Sequence, residues 1–284
     1  AQAIFLLPRW RTGTMRTGGS AALALGILVF VARPGGREAA EFEERPEHDA
    51  EDGAGILSVA KMHKLHQKMD GNADGKVSMA EMMALWDWIQ HSMAVKMAPT
   101  LHGELDADQD GHVSLHEFTR SGALDADHTA VEASRFHKAD ADKNGRLDHA
   151  EMAVASAPGM HDAITELDVK HVVEEVDANK DGVLTPEEFF MYGMEELNIT
   201  DENTADFKVL DKDGSGTLDV QELIPWMNGE FNRKKMFGDL IRVADKDDDQ
   251  HLTVEELHMA RGELAHSHTS YELSFMYDSV HIEL

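Results

Sequence analysis

Cysteine is absent from the 284 residues. That excludes disulfides, thiolate metal sites and cysteine nucleophiles. Basic residues are scarce: 26 Lys and Arg stand against 54 Asp and Glu, a formal charge of −28. With nothing basic and extended to neutralise phosphates, nucleic acid is excluded as a partner. No H-E-x-x-H helix, glycine-rich phosphate loop or G-x-S-x-G turn occurs, so no catalytic residue is identified and the chain reads as a non-enzyme. An apolar fraction of 42% is still enough for packed cores, which excludes a wholly disordered acidic chain. The length suits one large domain or two to three small ones.

The two ends read as addresses. Arg9, Arg11 and Arg16 precede an apolar run from Ala21 to Ala32. Such a run spans only about 18 Å as a helix, short of a bilayer core. Residues 1–32 therefore read as a secretory signal peptide, with membrane attachment only where the signal stays uncleaved as an anchor. Residues 33–56 are rich in charge, Gly and Pro and read as a disordered acidic linker. The chain stops at His281-Ile282-Glu283-Leu284, similar to the tetrapeptide read by the ER-retrieval receptor, with Ile282 in place of an acidic residue. Residues 266–284 form this tail. Asn198-Ile199-Thr200 is an N-glycosylation sequon at an expected break between helices.

Self-similarity dominates the middle. The pattern D-x-[DN]-x-[DN]-G-x5-E, that of the EF-hand calcium loop, starts at Asp70, Asp106, Asp140, Asp177, Asp211 and Asp245. The fifth copy has Ser215 at position 5, and the sixth has Gln250 where glycine is expected. The near-constant spacing is the mark of an array. Calcium is a hard cation that takes six to eight oxygen ligands, and each position supplies one kind. Position 3 is Asn72, Asp108, Asp142, Asn179, Asp213 or Asp247, and position 5 is Asp74, Asp110, Asn144, Asp181, Ser215 or Asp249. Position 7 ligates through its backbone carbonyl, so Lys76, His112, Arg146, Val183, Thr217 and His251 are all acceptable there. Position 12 is a bidentate Glu81, Glu117, Glu151, Glu188, Glu222 or Glu256. A further "DADH" at Asp125 is rejected, since Phe136 stands where Glu is required.

The flanks agree. Position 8 is Val77, Val113, Leu147, Leu184, Leu218 or Leu252, expected to form a short strand against a neighbouring loop. Met82, Phe118, Met152, Phe189, Leu223 and Leu257 follow the six glutamates and start the core face of each exiting helix. Four residues before each loop, hands 3 to 6 carry Phe136, Val173, Phe207 and Ile241, whereas hands 1 and 2 carry His66 and His102. His63 with His66, and His266 with His268, read as solvent-exposed rather than as zinc sites. The 24 residues between loops 1 and 2 leave room for a helix, a connection and a second helix. The expected fold is all-α, six hands in three pairs with short strands between loops: residues 57–122 for hands 1 and 2, 123–197 for hands 3 and 4, and 198–265 for hands 5 and 6.

Six such loops behind a signal peptide and before a retrieval-like tail resemble the CREC family of reticulocalbins and calumenin. "ALWDWIQHSM" after loop 1 and "ELIPWM" after loop 5 are similar to that family's exit helices. The resemblance implies a lumenal protein of the secretory pathway that binds Ca2+ with low affinity and contacts client proteins. The alternative is a higher-affinity, calmodulin-like sensor that opens a Met-rich groove to targets, with Met82, Met83, Met93 and Met97 near the first pair. Ordinary core packing is the plainer account of those methionines.

Overall fold

The computed structural model describes residues 57–120, 126–191, 200–265 and 267–281. The signal, the linker, Asn198 and the final three residues lie outside them. Among the described residues no helix is long and apolar enough to cross a membrane.

The elements follow the loops. Helix α1 (Val59–Met69) enters loop 1, which carries β1 (Val77–Ser78) and passes into α2 (Met79–Leu105). Loop 2 carries β2 (Val113–Ser114) and exits through α3 (Leu115–Arg120); α4 (Ala126–Ala139) enters loop 3, with β3 (Arg146–Leu147) and exit helix α5 (His149–Ser156). A single 3-10 turn at Pro158–Met160 leads to α6 (Asp162–Val176), which enters loop 4 and exits through α7 (Pro186–Met191). Hand 5 is α8 (Asp201–Leu210) and α9 (Val220–Met227). Hand 6 is α10 (Glu230–Ala244), β4 (His251–Leu252) and α11 (Val254–Leu264), followed by α12 (His268–His281).

Position 8 behaves as the sequence predicts. All six residues are buried, at 0% or 1% exposure. They pair antiparallel as Val77 with Leu252, Val113 with Leu147, and Leu184 with Leu218. The pairing partners differ from the expectation: hand 1 pairs with hand 6, hand 2 with hand 3, and hand 4 with hand 5. The reason lies in α2. It runs unbroken through 27 residues and serves as exit helix of hand 1 and entry helix of hand 2. A helix with no turn cannot fold loop 1 back onto loop 2. Pro99 sits inside it without ending it.

The chain divides into two compact units. Of the described residues, one unit holds hands 1 and 6, from 57 to 90 and from 232 onward; the other, His91–Phe231, holds hands 2 to 5. Within the second unit, Phe118, Phe136, Leu147 and Met152 fill the core of the hand 2–hand 3 lobe. Val169, Leu184, Phe189, Phe207, Leu218 and Leu223 fill that of the hand 4–hand 5 lobe. Helix α4 packs on α6 between these lobes. There Arg135 holds Asp168 by a 2.8 Å hydrogen bond from Nε, and both are largely buried.

His66 and His102 are both buried, as their register implies, but in two different lobes rather than a shared one. His66 is not the solvent-exposed residue expected from its spacing to His63. Its Nε2 donates to the Leu252 carbonyl at 2.9 Å, a bond made possible by the pairing of hands 1 and 6. Phe136, which disqualified the decoy loop, is fully buried inside α4.

Candidate metal centres

Each loop begins where its entry helix runs out. The N–H of the position-1 aspartate closes the last turn on the carbonyl four residues earlier, at 2.8–2.9 Å in all six hands. The aspartate side chain then organises the turn. Its Oδ2 accepts the position-6 N–H in every loop, from Gly75 at 2.9 Å to Gln250 at 2.9 Å. The position-3 oxygen of Asn72, Asp108, Asp142, Asn179 and Asp213 accepts the position-5 N–H. The position-5 oxygen accepts the position-7 N–H in all six. In loop 5 Ser215 also donates its hydroxyl to the Thr217 carbonyl at 3.0 Å, so two expected ligands touch directly.

The glutamate at position 12 closes the ring. One oxygen accepts N–H groups from the start of the loop, such as Ala107 on Glu117 at 2.9 Å and Lys246 on Glu256 at 3.0 Å. The other accepts the N–H of position 9, such as Thr253 on Glu256 at 2.9 Å. Position 9 is Ser78, Ser114, Asp148, Thr185, Asp219 or Thr253, and its side chain accepts the N–H of that glutamate in return. This is a capping box, in which helix start and loop end are tied by one reciprocal pair. Position 9 is not among the site residues expected from the sequence, although S/T/D-x-x-E before an apolar residue is the signature of this box.

The result is a converging oxygen cage. In loops 2, 3, 5 and 6 the carboxylates of positions 1, 3 and 12 bring oxygens within 4.8 Å of one another. These are Asp106, Asp108 and Glu117; Asp140, Asp142 and Glu151; Asp211, Asp213 and Glu222; and Asp245, Asp247 and Glu256. Loops 1 and 4 carry Asn72 and Asn179 at position 3, an amide oxygen in the same hydrogen-bonded place. Three anions this close repel unless a cation joins them, and the separation suits calcium–oxygen bonds of roughly 2.3–2.6 Å. Each donor is a hard oxygen, so the residues fit calcium.

Hydrogen bonds from the loop hold several of these carboxyls below their ordinary values. The Ser114 N–H and hydroxyl pull the Glu117 carboxyl down to about 2, aided by the N–H groups of Ala107 and Asp108. Ser78 acts likewise on Glu81, and Thr185 on Glu188. Burial pushes Glu256 up, but the Thr253 and Lys246 N–H groups outweigh it and leave the carboxyl low. The Gly182 N–H lowers Asp177, and the Ser215 N–H lowers Asp213.

Two cations intrude from paired loops. Lys76, at position 7 of loop 1, forms an ion pair with Asp249, at position 5 of loop 6. Arg146, at position 7 of loop 3, does the same to Asp110 of loop 2. Lys76 is the leading reason that the Asp249 carboxyl lies below its ordinary value.

Comparison with known proteins agrees with this geometry. A model described as an EF-hand domain pair matches residues 133–192, and one described as an EF hand matches 67–86, 103–127 and 204–224. Reticulocalbin-2 of Mus musculus is 26% identical over 83% of this chain and 88% of its own length. Reticulocalbin-2 of Crotalus adamanteus is 26% identical over 82% and 89%. An endoplasmic reticulum-resident calcium binding protein of Plasmodium falciparum (isolate 3D7) is 28% identical over 58% of this chain and 51% of its own. With six loops of one oxygen pattern and relatives that match along most of its length, the chain is a calcium-binding, reticulocalbin-like protein of multiple EF-hands.

Proposed function

We propose that the protein is a low-affinity calcium buffer of the endoplasmic reticulum lumen that also contacts client proteins in a calcium-dependent way, and that it is not an enzyme. The observation that carries this reading is the repetition of one loop six times, with converging carboxylates in four of the six copies. Capacity is what a buffer needs, and six sites in one chain supply it. Lys76 and Arg146 support weak binding, because each places a positive charge against a carboxylate that calcium also needs. The lumenal assignment is supported by the N-terminal basic and apolar pattern, by the similarity of His281-Ile282-Glu283-Leu284 to a retrieval tetrapeptide, and by a relative named as resident in the endoplasmic reticulum.

The calmodulin-like alternative needs a single Met-rich groove. Met82 is buried with hand 1, whereas Met93 and Met97 fall in the other unit and Met97 is exposed. Calorimetry at controlled ionic strength separates the two readings. A buffer gives submillimolar sites, and micromolar sites overturn it in favour of a sensor. Deleting His281 to Leu284 is expected to increase secretion with calcium stoichiometry unchanged. Retention of the deleted form with membranes indicates an anchor, and retention in soluble form indicates that the protein is not lumenal.

A further inference from the structure

A pair of hands is complete with four helices and two loops. Hands 1 and 6 already have theirs in α1, the start of α2, α10 and α11, joined by β1 and β4. Helix α12 is a fifth. Three residues separate it from α11, and there Ser267 donates its hydroxyl to the Leu264 carbonyl at 2.7 Å and accepts the Ser270 N–H at 3.3 Å. From this turn α12 lies back across α1.

Its seat has a recognisable pattern. Leu273, Met276, Tyr277 and Val280 are buried, at 2%, 0%, 9% and 4% exposure. Their spacing is i, i+3, i+4, i+7, the set of anchors by which an amphipathic helix enters an apolar groove. Phe275 adds a ring contact with Trp86 of α2, centroids 5.7 Å apart. Lys61 of α1 sits 5.9 Å over the Tyr277 ring. The opposite face shows Tyr271 and Asp278 to solvent.

The two units differ in what covers their lobes, each considered by itself. In the unit of hands 2 to 5 two lobes are present and α4 packs on α6 between them. The hand 1–hand 6 lobe stands alone in its unit, and its apolar face is covered by α12. The cover is not an ideal one. Glu272, just before the first anchor, is buried, burial pushes its carboxyl up, and the ring of His268, one turn earlier, lies 3.5 Å from it. An all-apolar stripe at the same spacing avoids that cost.

We infer that the hand 1–hand 6 lobe is a helix-binding module, occupied in this structure by α12, and that the partner it fits is an amphipathic helix with apolar anchors at α12's spacing. This names a chemistry for the client contact proposed above and rests on that reading. The short tether keeps α12 at an effective concentration of roughly millimolar, so an outside helix competes poorly until α12 is weakened.

The test uses the full chain in calcium and a fluorescent synthetic peptide of residues 267–281, followed by anisotropy. The unaltered chain is expected to take up the peptide weakly. Met276→Glu with Tyr277→Glu, which places charge on the seated face, is expected to improve peptide affinity about tenfold or more by removing the tethered competitor. Tyr277→Ala, a milder change, should give a smaller gain. A peptide carrying the same two Glu substitutions should bind neither chain. The inference is overturned if the variants keep their helix content and calcium sites yet gain no peptide binding. It is equally overturned if even Tyr277→Ala loses the calcium sites of hands 1 and 6, since α12 is then an integral part of the lobe. A calcium titration of the unaltered chain checks the buffer reading separately.

Discussion

Loop 6 must make its turn without glycine. Gln250 holds φ at 65° and Asp248 at 61°, so two side-chain-bearing residues adopt the left-handed region. Loop 5 does the same with Gly214 and Gly216. A left-handed L-residue costs about 1 kcal/mol, or about fivefold in an equilibrium constant. Gln250→Gly is therefore expected to tighten calcium at loop 6 by about threefold to fivefold; a titration of the full chain with no site improved refutes it. Lys76 bears on the same loop from outside. Because its pair with Asp249 is part-exposed, the effect is modest: Lys76→Gln should raise loop 6 affinity about twofold to fivefold. Lys64→Gln, an equal charge change on an exposed face of α1, should do less, and equal effects would mean that only net charge matters. The strain at position 6 was legible, since a missing glycine shows in the pattern. That at position 4 was not: Ala73, Gln109, Lys143 and Lys180 all hold φ near 60°, yet nothing in those residue types announces it.

At the scale of elements, the same six glutamates end the loops and start the helices, so metal binding and helix initiation share one carboxylate. Glu117 shows the consequence for pH. Its carboxyl is held at about 2 when folded, against an ordinary 4.5. A lowered carboxylate contributes stability above its unfolded value, lost as pH falls through the folded value. In chelator, this contribution should fade between about pH 4.5 and about pH 2. Ser114→Ala removes one donor to Glu117 and should move that loss to higher pH; coincident acid-unfolding curves would show that the hydroxyl does not matter. Helix identity was readable from repeats and caps, but helix continuity was not. The residues between loops 1 and 2 contain Pro99, which suggests a break. The proline ring is tolerated where α2 is exposed, so a connection expected from length alone is absent and the pairing of hands changes with it.

For the whole molecule, the pairing of hand 1 with hand 6 means that one lobe draws its halves from opposite ends of the array. Local spacing could not reveal this, because every hand offers the same apolar position-8 residue and any two could pair. The choice is made by which connections turn back, and the unbroken α2 removes the nearest partner of hand 1. A mutation in hand 6 should then be felt in hand 1 and not in hand 5, its neighbour in sequence. Leu252 is fully buried opposite Val77, and Leu252→Asp would place an unpaired charge there at a cost of several kcal/mol. The expected outcome is the loss of two calcium ions rather than one, measured by equilibrium dialysis on the full chain. Further substitutions identify which two. With Leu252→Asp present, Glu81→Gln should remove nothing more, because loop 1 has already lost its partner strand. Glu222→Gln should still remove one ion, because loop 5 pairs with loop 4 through Leu184 and Leu218. The reverse result, with loop 1 retained and loop 5 lost, would restore the sequential pairing of hands 5 and 6.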